Sequence, residues 1–489
     1  MSAGGGYSDD RRIDGGENGK GMGVISINPM VRSTVVPMGP EPERLTRAEL
    51  MAALSAAMDM TEGLPAGHSR RATWIAMRIA DVVHLPEAQR PELFYAVLLK
   101  DIGCSSNASR LFNLYEMDDT ALKADFRRVD SDRLLQLFKF ILTHTRPDAP
   151  LKTRLVRAIH IGIHGAALAR EVVEDRCHRG RDILKKMGFP AAVCEAVGSL
   201  DEHWDGHGLP QKLSGKNIPL LSRLALLAQV VDVFHGAGGP VLATQEICRR
   251  SGTWFDPHLV RAFLSASSES DFWISLENGT AVDDVGHFDE LHAGAIHDTE
   301  IDRLVRGFSE VIDAKSPWTA GHSQRVADVA DVMAVTLHLP ANQRLWLRRA
   351  SLLHDIGKMG LGNDILENQH QLSQVDRRRY EEHVILGLKI LSGIQGFAPM
   401  LPLVEAHHER YDGTGFPFGL TADQIPLGAQ ILAVADQFDW LLRGPEPVSN
   451  TQHALSQLSQ QSGEALAPAC VEALAHAVIN GLIHAPLPR

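Results

Sequence analysis

The chain repeats itself, and the repeat limits what it can fold into. Residues 66–103, shifted by 254, lie on 320–357 with 19 of 38 positions identical and no gap. Ala66-Gly67-His68-Ser69 falls on Ala320-Gly321-His322-Ser323, and Leu98-Leu99-Lys100-Asp101-Ile102-Gly103 on Leu352-Leu353-His354-Asp355-Ile356-Gly357. A later stretch matches with a shift of 207: Trp204-Asp205-Gly206 falls on Tyr411-Asp412-Gly413, and Ile218-Pro219-Leu220 on Ile425-Pro426-Leu427. The change of shift gives the first copy about 47 extra residues, roughly 105–160. Two homologous domains follow, 45–275 and 301–485, joined by the acidic, Gly-containing residues 276–300. Residues 1–44 are rich in Gly, Ser, Asp and Pro without an apolar period, and read as a disordered tail.

Both copies read as all-α. Val326, Val329, Ala330 and Met333 recur at helical spacing, and no segment alternates with period two for long. Thr46 with Glu49 three residues on predicts a capping box at the first helix. The Pro/Gly clusters at 339–342, 412–419 and 444–448 read as loops. The predicted architecture is two tandem helical bundles of six to eight helices each. The most apolar run, Ile218 to Phe234, contains Arg223, Gln229 and Asp232, which predicts a buried helix without membrane insertion. The five scattered cysteines form no CxxC pair, which fits a reducing cytoplasmic location and argues against a thiolate zinc site. A net charge of −12 excludes a protein that coats nucleic-acid polymers. A small anionic substrate would need local cations against that charge.

The second copy carries those means. In His354-Asp355, an apolar run delivers an imidazole and a carboxylate side by side, with Lys358 three residues on. His322, His383, His407, His408 and Asp436 complete a set of seven nitrogen and oxygen donors within 115 residues. Adjacent helix residues project about 100° apart, so His354 and Asp355 can flank one ion, or Asp355 can bridge two. Imidazole plus carboxylate without thiolate suits Fe, Mn, Ni or Zn better than Mg or Ca. Two such ions sharing a carboxylate can hold a bridging hydroxide in line with a phosphorus atom. Lys358 and Arg325 are candidates for neutralising phosphate oxygens.

His354-Asp355-Ile356-Gly357-Lys358 and His407-His408-Glu409-Arg410-Tyr411-Asp412-Gly413-Thr414-Gly415-Phe416-Pro417 together resemble the HD-GYP family, bacterial metal-dependent phosphodiesterases of the HD superfamily. The resemblance covers about 170 residues of the second copy. It implies two HD-type helical bundles and hydrolysis of a cyclic dinucleotide, chiefly cyclic di-GMP, to linear dinucleotide and GMP. It implies two divalent metal ions, Fe or Mn before Ni or Zn, on His322, His354, Asp355, His383, His407, His408 and Asp436. Asp355 would be the bridge and Lys358 the phosphate contact. A different class of function, a nucleotide-sensing module or one that docks a signalling partner, and a homodimer, stay open. The chain departs from the family at Phe416, where the motif has Tyr, and at Trp318, where some members place a Glu ligand for a third ion. It departs again at Gln430, usually Arg, and at Leu441 to Pro447, usually a basic stretch.

The repeat predicts a different first copy. His322 corresponds to His68, Asp355 to Asp101 and, with a three-residue insertion, Asp436 to Asp232. His354, His383, His407 and His408 become Lys100, Arg176, Leu200 and Asp201. Lys100 and Arg176 are expected to pair with Asp101 and Asp201, so that salt bridges stand where ions would, in a metal-free pseudo-domain.

Overall fold

A computed structural model describes residues 45–115, 143–144, 170–287 and 296–483. The expected N-terminal tail and most of the expected insertion in the first copy lie outside the described residues. The described part is helical, with isolated bridges and no strand.

The first copy runs α1 (Arg47–Thr61), α2 (His68–Val82), α3 (Arg90–Leu98), α4 (Ala108–Tyr115), α5 (170–186), α6 (Ala191–Gly198), α7 (Leu220–Arg249) and α8 (Pro257–Ala266). Thr46 caps α1 in a reciprocal capping box with Glu49, as its sequence predicts. α7 is long and apolar enough to cross a membrane by length and composition, yet Leu224, Leu227, Ala228 and Val231 are fully buried in the core. It is the central core helix, packed along α2, and it kinks at Gly238-Gly239-Pro240, where Gly239 takes φ 74°. The joining segment includes the end of α9 (Ser270–Asn278) and all of α10 (Thr280–His287). α10 packs on α2.

The second copy runs α11 (Asp298–Asp313), α12 (His322–Thr336), α13 (Ala341–Leu353), the single turn α14 (Asn363–Leu366), α15 (Gln374–Leu391), the short α16 (Leu401–Glu405), α17 (Leu427–Arg443), α18 (Thr451–Gln460) and α19 (Pro468–Ile479). Seven of these have ten or more residues, in line with the predicted bundle. α12 packs against α13, α17 and α19, which puts the N-terminus of α12 and the middle of α17 together.

The repeat is conformational as well as sequential. Gly67 and Gly321 are both left-handed N-caps, of α2 and α12. His84 and His338, equivalent residues just past the ends of α2 and α12, sit at φ 55° and 57°. Asp59 accepts hydrogen bonds from the Ser69 amide and hydroxyl, and Asp313 does the same for Ser323. The copies share one apolar core: Met51, Leu54 and Met58 of α1 belong to the same buried cluster as Ile356, Met359 and Leu391 of the second copy. Arg47 Nε donates to Glu300 at 2.6 Å and Lys186 Nζ to Glu310 at 2.7 Å across this contact.

Arg349, 1% exposed, ties α13 to α11. Its Nε lies 2.7 Å from Asp302 and its Nη2 2.7 Å from Asp298, with the guanidinium carbon 4.8 Å from the Trp346 ring. Both carboxylates are part-exposed, so losing the arginine does not strand them without water. Arg349→Leu is expected to lower unfolding free energy by about 1–3 kcal/mol, read as a lower denaturant midpoint at unchanged slope.

Candidate metal centre

Five separate parts of the second copy deliver the seven donors. His322 opens α12 after the left-handed Gly321. His354 caps the C-terminus of α13, and Asp355 begins the 3-10 turn Ile356–Gly360. His383 lies on α15, His407 and His408 follow α16, and Asp436 sits on α17. The turn reaches α15 because of Gly357: a Cβ there would overlap the His383 carbonyl oxygen. Gly103 stands in the same relation to the Arg176 carbonyl, so this close approach belongs to the frame both copies keep.

The imidazoles are turned by their own backbone. Nδ1 of His354, His383 and His407 lies 2.9, 2.6 and 2.6 Å from the carbonyls of Ser351, Tyr380 and Val404, each three residues back. A carbonyl only accepts, so each Nδ1 carries the hydrogen and each Nε2 presents a lone pair. Nε2 of His354, His383, His407 and His408, and Oδ1 of Asp355, are buried without a hydrogen-bond partner. Burial pushes His383 down to about 4 and His407 to about 3, with neighbouring positive groups adding to it. Burial likewise holds His408 well below the usual histidine range. These rings are neutral at pH 7, the form that ligates.

Asp355 joins the donors into two groups. Asp355, His383, His407 and His408 form one, and His322, His354 and Asp355 the other, with donor atoms in each within 4.8 Å of one another. Oδ1 of Asp355 stands 3.6 Å from His383 Nε2, while Oδ2 stands 3.4 Å from His354 Nε2 and 3.9 Å from His322 Nε2. Asp436 adjoins the second group, 3.1 Å from His322 Nε2 and 3.9 Å from His354 Nε2. Atoms about 2.1 Å from one ion stand roughly 3–4 Å apart, which is this spacing. Orphaned imidazole nitrogens around a two-faced carboxylate fit a pair of transition ions.

The charges around the groups are balanced. Burial opposes charge on Asp355, but the fields of His354 and Lys358 overcome it and hold the carboxyl well below its usual range. Lys358 Nζ donates to Asp355 Oδ2 at 2.6 Å and lies 5.4 Å from the Tyr380 ring centroid. Burial works against the His322 cation as well, but the hydrogen bonds it donates to Asp436 and Asp439 outweigh it and raise its pKa to about 10. Asp439, absent from the predicted set, accepts from His322 Nδ1 at 2.7 Å and from Arg325 Nε and Nη2 at 2.6 and 2.9 Å. Arg325 Nη1 bonds the Ala320 carbonyl at 2.8 Å. Arg71 makes the matching bonds to Asp232 and Ala66 in the first copy, so this geometry orients a histidine and closes a loop. Arg325 thus holds Asp439 and the Ala320 carbonyl, as a positioning residue does.

The turn around Phe416, matched by a turn in the first copy, has its own support. Glu409 accepts from the amides of Phe418 and Leu420 at 2.7 and 2.9 Å, and Glu202 does the same for Gln211 and Leu213. Phe416 stacks on His408, ring centroids 4.8 Å apart. Gln430 bonds the carbonyls of Ala422 and Ile425, and Leu442 is buried in the core.

The first copy shows the expected substitutions of charge. Lys100 is paired with Asp101, and Arg176 with Asp201. One expected correspondence needs correction. Asp232 accepts from His68 Nδ1 at 2.7 Å and from Arg71, the role of Asp439, not of Asp436. No insertion is needed: the plain shift of 207 puts Asp232 on Asp439 and Gln229 on Asp436. The first copy has thus lost five of the seven donors. Outside, Val282 of α10 packs 3.2 Å from where a Cβ on Gly67 would be, whereas Gly321 faces only Arg325. Among the described residues Glu62, Asp101 and Cys104 also come together there, beside Lys100 and with the Arg176 guanidinium 3.8 Å from Cys104 Sγ.

Two outcomes check this site. An ion must displace the His322 proton, while His383, His407 and His408 hold none near neutrality, so metal affinity rises with pH at up to about tenfold per unit between about pH 6 and 8. Calorimetry in two buffers of different ionisation enthalpy should show about one proton released; a pH-independent affinity contradicts it. Asp439→Asn, which loosens His322, should weaken metal binding about 10- to 100-fold, and Asp101→Ala in the first copy should leave the metal content unchanged by elemental analysis.

A family model described as HD domain matches residues 166–259 and 306–469. A Vibrio cholerae protein named 3′3′-cGAMP-specific phosphodiesterase 3 is 38% identical over 429 residues, covering 86% of this chain and 92% of that protein. The Xanthomonas campestris cyclic di-GMP phosphodiesterase response regulator RpfG is 34% identical over 181 residues, 36% of this chain and 48% of its own length. The crystal structure of a cyclic GMP-AMP specific phosphodiesterase of V. cholerae superposes with a TM-score of 0.60 at 35% identity, covering 90% of this chain and 99% of that one. With its fold, its paired motifs and these alignments, the chain belongs to the HD-domain family, in its HD-GYP group.

Proposed function

We propose that the second copy is a metal-dependent phosphodiesterase of cyclic dinucleotides, and that 3′3′-cyclic GMP-AMP is its substrate in preference to the cyclic di-GMP expected from the motifs. The observation that carries hydrolysis is the Asp355 carboxylate, whose two oxygens face two groups of buried imidazoles. The substrate preference rests on extent of likeness. Relatives named for 3′3′-cGAMP align along 86%, 55% and 35% of this chain, whereas relatives named for cyclic di-GMP align along 36%, 35% and 31%. The five cysteines, four of them buried, form no disulfide among the described residues, in keeping with a reducing compartment and a cytoplasmic second messenger.

The residues divide the work. His322, His354, Asp355, His383, His407, His408 and Asp436 would hold two divalent transition ions, Fe or Mn, with Asp355 common to both. When bound, such ions polarise phosphoryl oxygens and acidify water enough for attack near neutral pH. Lys358 keeps Asp355 ionised and adds a cation on the side where a dianionic substrate must approach a chain of net charge −12. Asp439 and the three backbone carbonyls fix the rings, so little reorganisation remains when substrate arrives. Phe416, stacked on His408, closes one side of the cluster with an apolar face.

The test is hydrolysis by the full chain, purified anaerobically and loaded with Mn or Fe. Faster turnover of 3′3′-cyclic GMP-AMP than of cyclic di-GMP is expected, with a loss of about 10³-fold or more in Asp355→Ala. The opposite preference overturns the substrate assignment. No turnover of either dinucleotide at full metal content overturns the phosphodiesterase reading.

A further inference from the structure

The turn that carries Asp355 and Lys358 ends at Met359-Gly360, and what holds that end comes from both copies. The Met359 carbonyl accepts from Lys315 Nζ at 2.6 Å and from Thr61 Oγ1 at 3.1 Å. Thr61 is the last residue of α1 in the metal-free copy, 298 positions away in sequence. Both donors are buried, Thr61 1% and Lys315 2% exposed. They are also equivalent positions, since the shift of 254 puts Thr61 on Lys315. Each copy therefore sends the residue at the same place in its fold onto one carbonyl of the second copy. Thr61 Oγ1 is also 3.2 Å from its own helix's Ala57 carbonyl, so its proton is shared between a local acceptor and the turn. Around this bond the packing is close: the Met60 sulfur lies 3.4 Å from where a Cβ on Gly360 would be, and α1 packs against both the turn and α15.

We propose that the degenerate copy acts as the floor of the metal-binding turn, with Thr61 as a positioning residue for Asp355 and Lys358. Gly360 gives the peptide after Met359 little restraint of its own. Fixing the Met359 carbonyl from below orients the peptide next to Lys358, and through the Lys358 amide bond to the Asp355 carbonyl at 2.9 Å it fixes the start of the turn. Loss of the metal ligands from the first copy is compatible with this role, because the Thr61 hydroxyl and its acceptors, the Ala57 and Met359 carbonyls, do not involve them. The kinetic consequence rests on the phosphodiesterase reading, but the metal consequence does not.

The experiment compares full-length wild type, Thr61→Val and Thr61→Ser, each loaded with Mn(II). Metal release to excess EDTA is followed by elemental analysis, kcat and KM are measured with 3′3′-cyclic GMP-AMP, and Tm is recorded. Thr61→Val keeps the shape and removes the hydroxyl. It is expected to speed metal release and lower kcat, each about threefold to tenfold, with KM within about twofold and a small change in Tm, while Thr61→Ser restores both values. Wild-type metal release and kcat in Thr61→Val would overturn the proposal. So would equal loss in Thr61→Val and Thr61→Ser with a large fall in Tm, which assigns Thr61 to packing alone. If the wild type hydrolyses no dinucleotide, the functional reading fails, and the metal-release comparison still decides the role of Thr61.

Discussion

A carboxylate buried among imidazoles stays ionised only where positive charge stands against it, and the second copy is arranged around that condition at Asp355. One oxygen of Asp355 meets the Lys358 ammonium at 2.6 Å, and the other is left without a hydrogen-bond partner. An orphaned, charged oxygen at 2% exposure is destabilising in a bare protein. Four orphaned Nε2 atoms in the same space make the same demand from the other side. The backbone carbonyls at Ser351, Tyr380 and Val404 enforce it, because they leave the rings no local alternative for Nε2. The site is therefore preorganised for cations, and fold stability and metal binding are linked through it.

The first copy sets cationic side chains in the same frame where the second copy has histidines. Its turn approaches α5 over Gly103 as the second copy's approaches α15 over Gly357. Its acid, Asp101, has Lys100 as a built-in counterion, and Asp201 has Arg176. The His68–Asp232–Arg71 triad remains as the counterpart of His322–Asp439–Arg325. What persists in both copies is what positions helices. What differs is the set of side chains aimed at the centre. The persistent frame keeps the first copy folded, and α1 of that copy continues the apolar core beneath the active turn.

Much of this was legible in the residues. The repeat gave the two bundles because identity at 19 of 38 ungapped positions requires the same local structure twice. The seven donors were legible because their types and spacing match a long motif, and the structure brings all seven together. The Lys100–Asp101 and Arg176–Asp201 pairs followed from charge alone. Other features were hidden for physical reasons. Asp439 lies one helical turn beyond Asp436, and sequence spacing does not say which of two carboxylates a distant ring will meet. The ungapped shift from Asp232 was the available signal, and placing a gap there obscured it. That Asp439 and the Ala320 carbonyl hold Arg325 depends on how α12 and α17 pack, which a sequence does not show. Thr61 on Met359 depends on how the two copies pack, which no local pattern encodes.

The central claim is that one copy, and only one, gathers a pair of ions around a shared carboxylate. Anomalous diffraction from crystals of the full chain loaded with manganese tests it most directly. The account predicts two peaks in the second copy, one on each side of Asp355, and none beside Lys100 and Asp101. A single peak that Asp355 does not contact, or a peak in the first copy, would contradict it.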